Sequence, residues 1–207
     1  MEFRDAKTGK PLWAVDGMGK DVGRCMTADI DPRYKGAECW GAVGGLYSCK
    51  GELISKARPK SMNFGIWWDA DLSRELLDGN KVLKWSYLDS TLNTIFTADS
   101  CLSNNATKAT PSVSADIFGD WREEFMLRKS DNTALRIFTT TIPANNRLIT
   151  LMHDPQYRVA VAWQNSAYNQ PPHPSFYLGT DMLPPPKPNI DVEPLNVTRP
   201  SGRENHN

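Results

Sequence analysis

The sequence predicts an all-β fold made of β-propeller blades. Three observations carry that expectation. Segments 38–43, 81–87, 135–141 and 157–163 are short, rich in Val, Ile, Thr and aromatic residues, and bounded by turn formers, which is how strands read. Hairpin turns recur at Lys7-Thr8-Gly9-Lys10, Cys49-Lys50-Gly51-Glu52, Asp78-Gly79-Asn80-Lys81 and Ser130-Asp131-Asn132-Thr133, with Gly or Asn supplying the positive φ such turns need. Acidic clusters recur inside strand-like sequence, and little of the chain shows a helical period.

The clusters set the organisation. Asp29 and Asp31 lead to Glu38, Asp69 and Asp71 lead to Glu75, and Asp116 and Asp120 lead to Glu123 and Glu124. Their first aspartates lie 40 and 47 residues apart, and each cluster is followed by a hairpin. A repeat of about 40–50 residues made of strands is the signature of propeller blades. The 207 residues hold four blades at most, and the first twelve already read as mid-blade, so the chain is expected to be a piece of a longer protein. Nine of its 15 prolines follow residue 170. Residues 1–182 are therefore expected to form blades, and 183–207 a Pro-rich polar tail without a core.

Composition narrows the function classes. Lys plus Arg equals Asp plus Glu at 24 each, which argues against nucleic acid or an anionic membrane surface as partner. No apolar run reaches the roughly 20 residues of a membrane span, and the opening residues do not read as a secretory signal. Cys25, Cys39, Cys49 and Cys101 form no CxxC pair, so neither a zinc site nor a dense disulfide framework is indicated. No nucleophile elbow, phosphate-cradling loop or His-Glu-x-x-His is present.

Three stretches carry chemistry. Asp29, Asp31, Glu38, Asp69, Asp71, Asp116, Asp120 and Glu124 offer oxygens in tight turns, which suits a hard cation wanting six to eight of them, so Ca2+ is expected as a structural ion. The same aspartates could serve only as turn and cap residues; their regular recurrence favours calcium. Ser103-Asn104-Asn105-Ala106-Thr107-Lys108 is a polar loop in which Lys108 could be a base, a carboxylate clamp or an ordinary surface lysine. His153-Asp154-Pro155-Gln156-Tyr157 and the loop 163–173 combine amides, aromatics and prolines, a surface that suits sugars or a well-packed turn.

Several longer runs now stand together: Asp21-Val22-Gly23-Arg24, Asp29-Ile30-Asp31-Pro32-Arg33-Tyr34, Trp67-Trp68-Asp69-Ala70-Asp71, Gly119-Asp120-Trp121-Arg122-Glu123-Glu124 and Met152-His153-Asp154-Pro155. In these runs the chain resembles the rhamnogalacturonan lyases of polysaccharide lyase family 11. The resemblance implies the C-terminal portion of an eight-bladed propeller holding several calcium ions. It implies β-elimination in rhamnogalacturonan I, at the bond from rhamnose to O4 of galacturonate. Arg24, Lys108 and Tyr168 fall at positions it implicates in catalysis. Asn105, Ala106 and Thr107 fall against the rhamnose, and Asn165 with the carbonyl of Ala167 at a calcium near the cleft. The family usually has Gly where Ala106 and Cys25 stand: if position 106 needs a positive φ, alanine costs about 1 kcal/mol there, and Cys25 could crowd Arg24. Action in an extracellular or periplasmic space is expected from the polymeric substrate, and the chain is expected to be a monomer. The competing readings are a calcium-stabilised propeller that binds glycans or proteins without catalysis, and an inactive truncated lyase.

Overall fold

The computed structural model of the protein describes residues 1–69, 71–164, 166, 169–185, 187, 188 and 190. Strands dominate it. A hairpin pairs β1 (Glu2–Arg4) with β2 (Pro11–Ala14). Three four-stranded antiparallel sheets follow in chain order. The first is the meander β3 (Cys25–Ala28), β4 (Glu38–Gly41), β5 (Leu46–Tyr47) and β6 (Leu53–Ser55). The second is β7 (Gly65–Ile66), β8 (Glu75–Asp78), β9 (Lys81–Ser86) and β10 (Thr91–Thr97). In the third, β13 (Glu124–Lys129) pairs with β11 (Cys101–Leu102), β12 (Val113–Ala115) and β14 (Leu135–Phe138).

All four expected hairpin turns join the strands that flank them. Gly51, at φ +84°, shows why one of them needs glycine: a Cβ there would meet the Trp13 ring at 2.6 Å. Segment 157–163 departs from expectation. Most of it lies in the helix α1 (Pro155–Ala162), not in a strand. Its Val- and Tyr-bearing sequence reads as β, but Asp154 caps the first turn, accepting from Gln156 N at 2.8 Å, and Pro155 stands at the first helical position. That start signal outweighs β propensity.

The sheets pack face to face, so central strands are buried on both sides. Leu76 joins Met26, Ala28, Trp40 and Trp85 between the first and second sheets. Its neighbour Leu77 points the other way and joins Phe64, Trp68, Phe125 and Leu127 between the second and third. A third cluster of Trp67, Trp121, Leu151, Tyr157 and Leu178 seats α1 against the sheets. Among the described residues no helix is long and apolar enough to cross a membrane.

One contact repeats in all three sheets. Glu38 Oε2 accepts from Ile30 N and Asp31 N, both at 2.9 Å. Glu75 Oε2 accepts from Trp68 N and Asp69 N at 2.8 and 3.1 Å. Glu124 Oε2 accepts from Ile117 N and Phe118 N at 2.9 and 3.0 Å. Each buried glutamate thus clamps two successive amides of the loop before it. The residue before the glutamate reaches back to the preceding sheet: Arg74 N donates to Asp29 O and Glu123 N to Trp67 O, each at 2.7 Å. These bonds fix the true register of the repeat. Asp31, rather than Asp29, is the counterpart of Asp69, while Asp29 corresponds to Trp67 and Asp116.

Glu38→Ala leaves two amide donors buried without an acceptor, at a cost of roughly 1–3 kcal/mol each. The expected loss, read from urea unfolding, is therefore about 2–6 kcal/mol. Glu38→Gln keeps an acceptor oxygen and should lose less.

Candidate active site and cation seats

A cleft of about 470 Å3 is lined by Asp21, Gly23, Arg24, Cys25, Lys108 and Gln170. It brings together two of the three residues singled out for catalysis, Arg24 and Lys108, which come from different sheets. Arg24 precedes β3, and its Nη1 donates to the Asn63 carbonyl at 2.7 Å. Lys108 ends a short 3-10 turn (Ala106–Lys108). The third residue, Tyr168, lies outside the described residues, as do Asn165 and Ala167.

The loop carrying Lys108 is closed at its base. Asn104 and Thr110 form an isolated bridge, and Asn104 Nδ2 donates to Ser112 Oγ at 3.1 Å. Within it Asn105 and Ala106 both hold left-handed backbone, at φ +60° and +45°, so the condition under which alanine at 106 is costly is met. Asn105, Ala106 and Thr107 are exposed at the end of this loop.

Asn63 was not legible as a site residue, yet it ties the cleft together. Its carbonyl holds Arg24, while its Nδ2 lies 3.3 Å from the Thr107 carbonyl and 3.2 Å from Asp78 Oδ1. These partners are distant in sequence and form no local motif. Gln170 closes the cleft from the 163–173 loop, whose two ends are anchored. Gln164 pairs with Ser114 as a strand would, accepting from its N at 2.8 Å and donating to its O at 2.6 Å. At the far end Arg74 Nη2 donates to Pro172 O at 3.0 Å. Arg74 itself is buried, stacked 4.0 Å over Trp67 and 3.9 Å from Glu123.

The acidic residues divide into two kinds of environment. In the first sheet Asp29, Asp31 and Glu38 are all buried. Asp29 Oδ2 accepts from Tyr177 OH at 3.0 Å and Thr180 Oγ1 at 2.8 Å, and Asp31 pairs with Arg33 at 2.6 Å. Asp29 Oδ1 and Glu38 Oε1 have no partner among the described residues. Burial first, then Asp29 and Asp31 nearby, pushes the Glu38 carboxyl up to about 8 against the pull of its two amide bonds. In the third sheet Asp116 Oδ2 accepts from Thr150 Oγ1 and Leu151 N, both at 2.7 Å, and its buried Oδ1 has no partner among the described residues. Asp120 is exposed and pairs with Arg122 at 2.6 Å, while Glu124 accepts from Thr139 Oγ1 at 2.9 Å. Buried carboxylate oxygens without donors are where a hard cation fits.

In the second sheet Asp69, Asp71 and Glu75 offer oxygens all within 4.8 Å of one another, a grouping that could hold a metal ion. Lys84 lies among them. Its Nζ donates to Asp69, to Asp71 at 2.6 Å and to Glu75 at 2.8 Å. Burial works against this ammonium, but Glu75, Asp69 and Asp71 outweigh it and hold Lys84 above its usual range.

Comparison with known proteins places this geometry in a family. The sequence profile described as rhamnogalacturonan lyase family 11, C-terminal domain, matches residues 1–188. The chain is 59% identical over 190 residues to rhamnogalacturonan endolyase YesW of Bacillus subtilis (strain 168), covering 92% of this chain and 30% of that protein. It is 52% identical over 208 residues to rhamnogalacturonan exolyase YesX of the same organism, covering 93% of this chain and 34% of that one. The crystal structure of YesW superposes with a TM-score of 0.88 at 58% identity, over 93% of this chain and 33% of that one. The rhamnogalacturonan lyase of Bacillus licheniformis gives 0.88 at 57% identity, over 92% and 32%. The chain thus spans about a third of the length of the relatives it matches.

An L-residue held at positive φ costs about 1 kcal/mol relative to glycine. Ala106→Gly should therefore raise stability by about that amount, read as a shift of the urea midpoint at unchanged slope.

Proposed function

The chain belongs to rhamnogalacturonan lyase family 11, and from that premise we propose that it forms part of a lyase cutting rhamnogalacturonan I by calcium-assisted β-elimination. The bond is the one from rhamnose to O4 of galacturonate. The observation that carries the reading is the cleft in which Arg24 and Lys108 converge beside Gln170. An uronate needs a cation for its carboxylate and a base for the proton on C5. The Arg24 guanidinium facing this polar cleft meets the first demand, and Lys108, as a neutral amine, can serve the second.

Arg24, braced by the Asn63 carbonyl, meets the carboxylate. Lys108 takes the C5 proton. The C5–H electron pair becomes the C4–C5 double bond, and the C4–O bond breaks with its electrons on the oxygen that departs with rhamnose. The 105–107 loop supports the rhamnose, and Tyr168 orients the ring. Calcium, when bound near Asn165 and the Ala167 carbonyl, supplies further positive charge for the carbanion-like state.

Calcium has a structural part in this reading as well. Unpartnered Asp29 Oδ1, Glu38 Oε1 and Asp116 Oδ1 support ions beside the first and third sheets. We read the three sheets as blades of a propeller, with 1–182 as its C-terminal part and 183–207 as a Pro-rich tail, and the rest supplied by sequence of the length seen in the relatives. A polymeric pectin substrate supports an extracellular or periplasmic setting.

The test is ultraviolet absorbance of the unsaturated product during incubation with rhamnogalacturonan I. A rise that a chelator suppresses is expected. Lys108→Ala should abolish that rise, with the melting temperature measured alongside to separate lost chemistry from lost folding. A Lys108→Ala chain of wild-type rate removes Lys108 from the mechanism.

A further inference from the structure

The three sheets share the same glutamate clamp, yet they balance its buried charge differently. In the third sheet the position across from Glu124, one step beyond the Phe125–Phe138 pair, holds Thr139. In the first sheet the same step beyond Cys39–Tyr47 brings Ser48. These are small hydroxyl residues, and both sheets leave buried carboxylate oxygens of Asp29, Glu38 or Asp116 without a donor. In the second sheet the step beyond Leu76–Leu83 brings Lys84 instead. Its ammonium engages Asp69, Asp71 and Glu75, so each of the three carboxyl groups carries a bond from the same cation. No oxygen of these three is among the buried, unpartnered atoms of the described residues. The loop position that carries Asp29 and Asp116 is here Trp67, which offers no carboxylate and takes the Arg74 guanidinium on its ring face instead.

We propose that the Lys84 ammonium is the resident cation of the Asp69–Asp71–Glu75 cluster, filling the seat that a metal ion would otherwise take, so that this sheet is held together without calcium. The physical reason is substitution of like for like. Three carboxylates within 4.8 Å need positive charge, and a lysine delivered by the neighbouring strand supplies it at no cost in ion capture. An ammonium and a calcium ion cannot share the seat, since each would repel the other at contact distance. The inference rests on the calcium reading only for its contrast with the first and third sheets. Its test reads ion count rather than turnover, so it stands or falls apart from the lyase assignment.

The experiment measures calcium bound per chain by equilibrium dialysis of the whole, chelator-stripped protein. Lys84→Met keeps the length of the stem and removes the charge; it should bind one more calcium ion than the wild type, and its melting temperature should become calcium-dependent to a greater degree. Asp71→Asn removes one exposed carboxylate from the cluster and should leave the wild-type count unchanged. A Lys84→Met chain that binds no additional ion, or that fails to fold even with calcium, overturns the proposal. So does an Asp71→Asn chain that binds one ion fewer, because that places a metal in the cluster while Lys84 is present.

Discussion

A glutamate buried at the head of a strand, clamping two successive amides of the loop before it, is the contact on which the rest of this structure depends. It appears at Glu38, Glu75 and Glu124 with nearly the same distances. It does two things at once. It fixes each acidic loop to its own sheet, and the adjoining amide ties that sheet to the one before, as Arg74 N and Glu123 N show. Sheet order, loop position and inter-sheet spacing follow from one repeated geometry.

The clamp also brings a negative charge into the interior, and buried charge has to be matched. The molecule answers in more than one way. Lys84 serves the second sheet. Arg74 serves Glu123, whose carboxyl burial pushes up to about 7 and which also accepts from Tyr157 OH at 2.7 Å. The same Arg74 grips Pro172 O, so a group recruited to balance charge also anchors the loop that delivers Gln170 to the cleft. On the other side, Asp29 and Asp116 spend one carboxylate oxygen each on C-terminal segments, at Thr180 and at Thr150 with Leu151. Charge balance and the placement of the cleft walls are therefore one problem solved together.

Much of this was legible in the sequence because it is local. Hairpin turns announce themselves through Gly51, Gly79 or Asn132, where the backbone must turn left-handed. The acidic repeat announced itself through composition. Its register did not: Asp-x-Asp invited alignment of Asp29 with Asp69, whereas the amides that the glutamates grip align Asp31 with Asp69. At Pro155–Ala162 Val and Tyr suggest a strand, but Asp154-Pro155 is a helix start signal, and the structure follows it. Arg24 and Lys108 were found through family motifs, and the structure brings both to one cleft. Asn63 and Lys84 were not found, since their roles arise only when distant strands meet. A lysine on an alternating strand looks like any other until the carboxylates opposite it are known.

On the proposed reading, ions from solution meet the carboxylate oxygens that Arg33 and Arg122 leave unpartnered in the first and third sheets, at Asp29, Glu38 and Asp116, whereas Lys84 alone serves the whole second cluster. Anomalous diffraction at long wavelength from crystals grown with calcium tests it directly. Anomalous peaks are expected beside Asp29 and Glu38 and beside Asp116, and none between Asp69, Asp71 and Glu75, where Lys84 Nζ should stand. A peak within that second cluster, with Lys84 turned away, would contradict it.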